Sequence, residues 1–335
     1  MYVVRPAAAA AAACLGFTLT VLGGTASSAS SSSSSLASLP RLPRLTPGPP
    51  LSSFASPAGL AADVDPPGAA DFADLLSGPV VYAHRGASAY APENTLDSID
   101  LAMRLGFEWV ENDVQRTKDG QLVVVHDDTL ARTTDVEQVF PERAPWRVKD
   151  FTAAEIARLD AGSWFGEEFR GARVPTLRRY LDRVRRNQQR LLLEIKKPEL
   201  YPGIELQTLN VLDEAGWLDQ RHVASRLVVQ SFSAASVRAV HRLRPDIVTA
   251  FLGTPTVAEL PGYAQFTDRI NPWHTTISAE WVAAVHRLPG AHGKPMEVDT
   301  WIVDDAATAR KVQDMGVDGI ITNAPDVVRE AVDGF

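Results

Sequence analysis

The chain has 335 residues, with 33 Lys and Arg against 41 Asp and Glu, a formal net charge of −8, and a hydrophobic share of 45%. That is apolar content enough for a core, in two domains of ~150 residues or in one α/β barrel of ~250 with an appendage. The acidic balance argues against a nucleic-acid or anionic-membrane binder, and a single cysteine, Cys14, excludes intramolecular disulfides, Cys-based zinc sites and iron–sulfur clusters.

The N-terminus reads as a processing signal. Residues 1–6 carry one charged side chain, Arg5; an uncharged stretch runs from Ala7 to Gly24, and Thr25-Ala26-Ser27 supplies small residues for cleavage. This is the layout of a secretory signal peptide over residues 1–26. A membrane anchor is the weaker reading, because the run barely spans a bilayer and is rich in Ala and Gly. No stable membrane insertion is therefore expected after cleavage. Residues 27–77 follow, with a serine run from Ser30 to Ser35 and Pro40, Pro43, Pro47, Pro49 and Pro50. Such composition buries too little apolar surface to offset chain entropy, so a disordered linker is expected. The expected location is outside the cell, free or at its surface.

Residues 78–335 read as one domain. Short β-branched runs occur at 80–84, 109–114, 191–196, 227–232, 247–252, 269–273, 296–303 and 319–322. Helical stretches are expected at 95–105, 152–159, 176–186, 203–215, 233–243, 278–287, 306–315 and 325–332. Ser233, ahead of Val237, Val240 and Leu243, looks like a helix cap. Eight alternations predict an α/β fold, a parallel (β/α)8 TIM barrel, over the alternative of an open doubly wound sheet. A hairpin is expected after the second strand, where Asp119-Gly120 separates two alternating runs. With those two as the loop, Lys118 pairs with Gln121 and Asp113 lies opposite His126. The arginine-rich stretch 178–190 reads as a solvated helix face.

Polar groups gather where the apolar strands stop. The first strand ends in His84-Arg85-Gly86, the second carries Glu111 and Asp113 on one face, and the hairpin return ends in His126-Asp127. The next strand carries Glu194 and Lys196, and the one after ends in Gln230-Ser231-Phe232. Singly, each has a plain reading: a strand-end histidine is most often a hydrogen-bonded one, and Glu194 with Lys196 can be a structural ion pair. In a barrel, however, all of them converge on one mouth. Clustered acids are costly unless a cation binds them, and an all-oxygen set suits Mg²⁺ or Ca²⁺. Arg85 and Lys196 suit a phosphate, and two histidines can supply an acid and a base. The sum describes metal-assisted phosphodiester chemistry.

The same residues resemble a family signature. His84-Arg85-Gly86, Pro92-Glu93-Asn94-Thr95, Glu111-Asn112-Asp113-Val114, Thr117-Lys118-Asp119-Gly120 and Val125-His126-Asp127 follow in order. So do Thr129 to Thr134, Leu193-Glu194-Ile195-Lys196, Gln230-Ser231-Phe232 and Gly316 to Thr322. This ordered set resembles the glycerophosphodiester phosphodiesterases over 80–330. The resemblance implies a barrel with a hairpin insertion and one divalent cation, Ca²⁺ or Mg²⁺, held by Glu111, Asp113 and Glu194. It implies His84 and His126 as the acid/base pair and Arg85 and Lys196 as the phosphate holders. Glu93, Gln230 and Trp301 join them on the substrate side. The implied partner is a small glycerophosphodiester; a lysophospholipid, sphingolipid or wall-polymer diester on the same barrel is the alternative, and a secreted protein that binds phosphodiesters without turnover is the reading of a different class. Two segments depart from the family pattern. Trp301-Ile302-Val303-Asp304 stands where Trp-Thr-Val-Asn is common, and Thr322-Asn323-Ala324-Pro325 where Thr-Asp-x-Pro is common.

Overall fold

A computed structural model describes residues 78–334. The expected signal peptide and linker lie outside the described residues. Eight parallel strands form the centre: β1 (Val80–Ala83), β2 (Trp109–Arg116), β4 (Arg190–Ile195), β5 (Leu227–Ser231), β6 (Val248–Leu252), β7 (Arg269–Asn271), β8 (Glu297–Thr300) and β9 (Gly319–Thr322). The short β3 (Leu122–Val124) runs antiparallel on the edge of β2. β1 pairs with both β9 and β2, so the sheet closes. The barrel reading holds over the open sheet.

Strand pleating sorts the apolar residues into two layers. Tyr82, Trp109, Leu192, Val228, Ala250 and Ile321 form one buried cluster, inside the barrel. Leu191, Leu193, Ile195, Leu227 and Val229 pack with Leu177, Tyr180, Leu181 and Val184 of the helix Leu177–Arg186. Those four helical positions repeat at the spacing of one face, and Arg178, Arg179, Arg185 and Arg186 are left to solvent; the expected solvated face of 178–190 ends with this helix, since Gln189 is buried and Arg190 opens β4. Side-chain caps start several helices. Thr95 accepts from the Ser98 N–H, Thr176 from Arg179, Ser233 from Ser236 and Ser278 from Trp281. Low in the barrel, Arg269 donates to the Tyr82 hydroxyl (2.6 Å) and to Asp299 (2.9 Å), a polar plug between the strands. No helix among the described residues is long and apolar enough to cross a membrane.

Three expectations need correction. The hairpin pairs Val114 with Val124 and Arg116 with Leu122, one residue out of the expected register. Its loop has three residues, Lys118 to Gly120, because Gly120 takes the left-handed conformation (φ 83°). That geometry is a turn plus bulge rather than a two-residue turn. Asp113 therefore faces Val125, whose N–H donates to the Asp113 carbonyl at 2.9 Å, and not His126. The stretch 152–159 is not a barrel helix. It holds the short helix Ala153–Ile156, inside an insertion between β3 and the helix Leu177–Arg186. The insertion has its own core of Leu130, Val136, Val148, Phe151, Ile156 and Leu159, packed with Val123 and Val125 of the hairpin. The remaining barrel helix is the single turn Leu260–Tyr263, with Pro261 in its first turn and Gly262 after it, and was not anticipated.

Candidate active site

The C-terminal ends of the strands open into one cavity of about 80 Å³. His84, Arg85, Glu111, His126, Glu194, Lys196, Gln230 and Trp301 line it. Asp113 is fully buried beside them, with its Oδ2 3.2 Å from Arg85 Nε and its Oδ1 3.4 Å from Lys196 Nζ. Glu93 stands behind Arg85, accepting from its guanidinium at 2.9 Å, and is not part of the lining. All ten residues singled out in the sequence thus fall at one barrel mouth. The register error does not remove His126. It lies beyond the end of β3, where the chain leaves the ladder and no longer obeys its alternation.

Each carboxylate is placed by its neighbours. Glu111 Oε2 accepts the Arg85 backbone N–H (3.1 Å) and Oε1 the Gln230 amide (3.3 Å). Gln230 is turned that way by Asn271, which donates to its Oε1 at 2.8 Å. Asn94 donates to Asp113 at 2.8 Å, and Lys196 lies 2.8 Å from Glu194. Burial, with Asp113 and Glu194 close by, pushes the Glu111 carboxyl well above its usual range. Burial raises Glu194 to about 8, with Lys196 opposing and Asp113 adding to the rise. Asp113 is held the other way: Arg85 and Lys196 outweigh its burial and keep it ionised.

The acids fit a divalent cation. Glu111, Asp113 and Glu194 each offer an oxygen, all within 4.8 Å of one another, and all three residues are buried. Asp113 Oδ1 and Glu194 Oε1 are both buried and share the Lys196 ammonium, at 3.4 and 2.8 Å. Three carboxylates so close together repel one another with only Lys196 and Arg85 to offset them, and a hard cation relieves the repulsion.

Both histidines have their orientation set from behind. Asn323 donates its amide to Asp304 (2.7 Å), which turns its Oδ1 toward His84 Nδ1 at 2.7 Å. A carbonyl oxygen only accepts, so Nδ1 of His84 carries the proton and Nε2, 3.9 Å from Glu111, presents a lone pair. Burial and the adjacent Arg85 lower His84 to about 3, so it is neutral at pH 7. His126 Nδ1 lies 2.7 Å from Asp127, whose carboxylate is held well below its usual range by that bond and by Arg132. Nδ1 of His126 is again the donor, leaving Nε2 free. The buried Gln115 fixes the loop: its amide donates to the carbonyls of Val125, His126 and Asp127 at 3.0, 3.0 and 2.6 Å. The two segments that depart from the family pattern thus meet one another, at Asp304 and Asn323, directly behind His84. Sequence reading gave no role to Asn323, Asp304, Gln115 or Arg132. Only the motif context of His126-Asp127 hinted at Asp127.

The aromatic wall of the cavity is Trp301, whose Nε1 donates to the Asn271 carbonyl at 2.7 Å. Phe232 and Trp273 pack edge-on against it, with ring centroids 5.4 and 4.9 Å away. A groove of about 440 Å³ adjoins the cavity across His126, Lys196 and Phe232, and is walled by Asp128, Lys197 and Glu199.

An acid cluster fit for a cation, two oriented imidazoles and two cations at the mouth of a parallel barrel define a site for phosphodiester chemistry. Comparison with known proteins gives the same class. The model of the glycerophosphoryl diester phosphodiesterase family matches residues 84–327, and the chain belongs to that family. A glycerophosphodiester phosphodiesterase of Bacillus subtilis is 34% identical over 288 residues, covering 81% of this chain and 93% of the relative. One from Caldanaerobacter subterraneus is 34% identical over 259 residues, covering 74% and 96%. Among solved structures, an Oleispira antarctica phosphodiesterase in complex with the product sn-glycerol-3-phosphate superposes with a TM-score of 0.66 at 28% identity. That match covers 77% of this chain and 98% of the other. The protein is a phosphodiesterase.

Proposed function

We propose that this protein hydrolyses small glycerophosphodiesters, such as glycerophosphocholine or glycerophosphoethanolamine, to glycerol 3-phosphate and the free alcohol. The observation that carries the reading is one cavity lined by a cation-ready acid cluster and two histidines, each presenting Nε2. Glu111, Asp113 and Glu194 hold the cation, Ca²⁺ or Mg²⁺. When bound, the ion withdraws charge from the phosphoryl group. Arg85 and Lys196 orient the phosphate and offset the charge that grows on its oxygens. One histidine takes the proton of the nucleophile on its open Nε2; the other enters the step with a second proton, on Nε2, and gives it to the departing alcohol while its Nδ1–H stays on its partner behind. Gln230 keeps Glu111 in place, Glu93 braces Arg85, and Trp301 packs against the glycerol or head group. The groove beyond Phe232 gives the alcohol room to leave. The signal-like N-terminus supports action outside the cell, on diesters released from lipids or wall polymers.

The test is release of glycerol 3-phosphate from glycerophosphocholine with Ca²⁺ or Mg²⁺, with a chelator control and His84→Ala and His126→Ala alongside. Each variant should lose about 100-fold or more in turnover, the scale of a general acid or base. Wild-type turnover in His84→Ala refutes the histidine assignment. Turnover that survives the chelator refutes the cation. No release by the cation-loaded wild type moves the substrate to a lysophospholipid, sphingolipid or polymer diester.

A further inference from the structure

We propose that Arg132 is a positioning residue of the reaction: it locks the His126 ring in its working orientation and ties it to the phosphate-holding Arg85. The inference rests on the roles just proposed for His126 and Arg85. Arg132 sits in the insertion, its side chain 43% exposed, and does not line the cavity. Its guanidinium lies between two carboxylates and grips both. Toward Glu93 it donates from Nη1 to Oε2 (2.6 Å) and from Nη2 to Oε1 (2.8 Å). Toward Asp127 it donates from Nε to Oδ2 (2.7 Å) and from Nη2 to Oδ1 (3.1 Å). Glu93 Oε1 also accepts from Arg85, and Asp127 Oδ1 also accepts from His126 Nδ1. Five side chains from two loops thus form one unbroken run, Arg85–Glu93–Arg132–Asp127–His126.

This differs from an ordinary surface ion pair, which contributes ~0–1 kcal/mol and tolerates exchange. Two bidentate contacts use four of the five guanidinium N–H groups in one plane, a shape a lysine ammonium does not have. Glu93 and Asp127 are more buried than Arg132 itself, at 12% and 27% exposed. The competing cation, Arg85, is already shared with Asp113. Without Arg132 the two carboxylates have no cation between them, and Asp127 is free to turn away from Nδ1. His126 then loses the bond that keeps its proton on Nδ1 and leaves Nε2 open to the cavity.

The test uses the full chain with Arg132→Gln and Arg132→Lys. Three readouts are taken: kcat and KM on glycerophosphocholine, the His126 ring tautomer by NMR of ¹⁵N-histidine-labelled protein, and the melting temperature. The expected result is a fall in kcat of about 10-fold or more, the scale of a misplaced catalytic group. KM should stay within about threefold, and the neutral His126 ring should move from the Nδ1–H toward the Nε2–H form. Lysine should rescue neither. A wild-type ring signal in both variants overturns the proposal, even if activity falls. A rise in KM at unchanged kcat overturns it in favour of direct substrate contact. A variant that does not fold leaves the other to decide. Should the wild type fail to turn over the diester, the functional reading fails alone, because the ring spectra still decide the relay.

Discussion

The Asp304–Asn323 pair makes a quantitative prediction. The Asp304 carboxylate accepts three hydrogen bonds: from the Asn323 backbone N–H (2.7 Å), the Asn323 side-chain amide (2.7 Å) and the Thr322 hydroxyl (3.1 Å). It thereby points the Asn323 carbonyl oxygen at His84 and at the Ser88 hydroxyl (2.8 Å). Asn323→Asp places a carboxylate oxygen where the amide nitrogen was, 2.7 Å from Asp304 Oδ2. The charge-assisted bond lost is worth about 1.5–3 kcal/mol. Two unit charges at that spacing repel by about 1.5 kcal/mol in water-like surroundings. Relaxation at this exposed edge lowers the sum, and about 2–3 kcal/mol of stability should be lost. Asp304→Asn alone removes the charge that orients Asn323 and frees its amide to flip, presenting a donor to the His84 N–H. The double variant restores one amide and one carboxylate with their places exchanged. It should recover most of the stability and the activity, with a coupling energy of about 2 kcal/mol. Urea unfolding and kcat across the four proteins measure this. Effects that add within about 0.5 kcal/mol would show that the two residues act independently and that His84 is not set through them.

Further outcomes follow from other parts of the molecule. Glu194→Gln should raise the melting temperature of the cation-free protein, by removing a carboxyl whose charged form burial and the nearby Asp113 disfavour, and should abolish the rise expected of the wild type with Ca²⁺ or Mg²⁺ in a thermal-shift assay. Gly86→Ala should be severely destabilising, by about 3 kcal/mol or more in chemical denaturation, because a Cβ there would sit 2.4 Å from Ser98 Oγ on backbone at φ 83°. Asp160 is lowered to about 2; its partial burial opposes this, and the N–H groups of Ser163, Gly162 and Gly171 outweigh it. A depressed carboxylate stabilises above its unfolded pKa and ceases to as pH falls through the folded value. Asp160→Asn should therefore flatten the stability–pH curve between about pH 4 and 2.

Much of the site was legible because strand ends carry their polar groups in sequence order. His84, Glu111, Glu194 and Gln230 each close or interrupt an apolar run, and barrel topology does the rest. What was not legible depends on side chains that meet across long separations. Asn323 reaches His84 across 239 positions and Arg132 reaches Glu93 across 39, and neither pairing leaves a periodic trace. The hairpin register failed on one backbone angle, at Gly120, which decides between a two- and a three-residue loop. The barrel helix count came out right with one wrong member. Ala153–Ile156 begins with a strong capping box at Thr152 and Glu155 yet belongs to the insertion, while Leu260–Tyr263 is too short and too rich in breakers to announce itself.

The insertion has a consequence for how the enzyme fails. The cation-ready acids and His84 are carried by the barrel and its large apolar clusters, whereas His126 rides on a loop backed by the smaller cluster around Leu130, Val148 and Phe151. The two histidines thus straddle a seam between two apolar bodies of unequal size. On heating, the smaller body is expected to loosen first and widen the gap between the rings. The enzyme would then fall silent some degrees before its barrel melts, and would regain its activity on cooling for as long as the barrel had held.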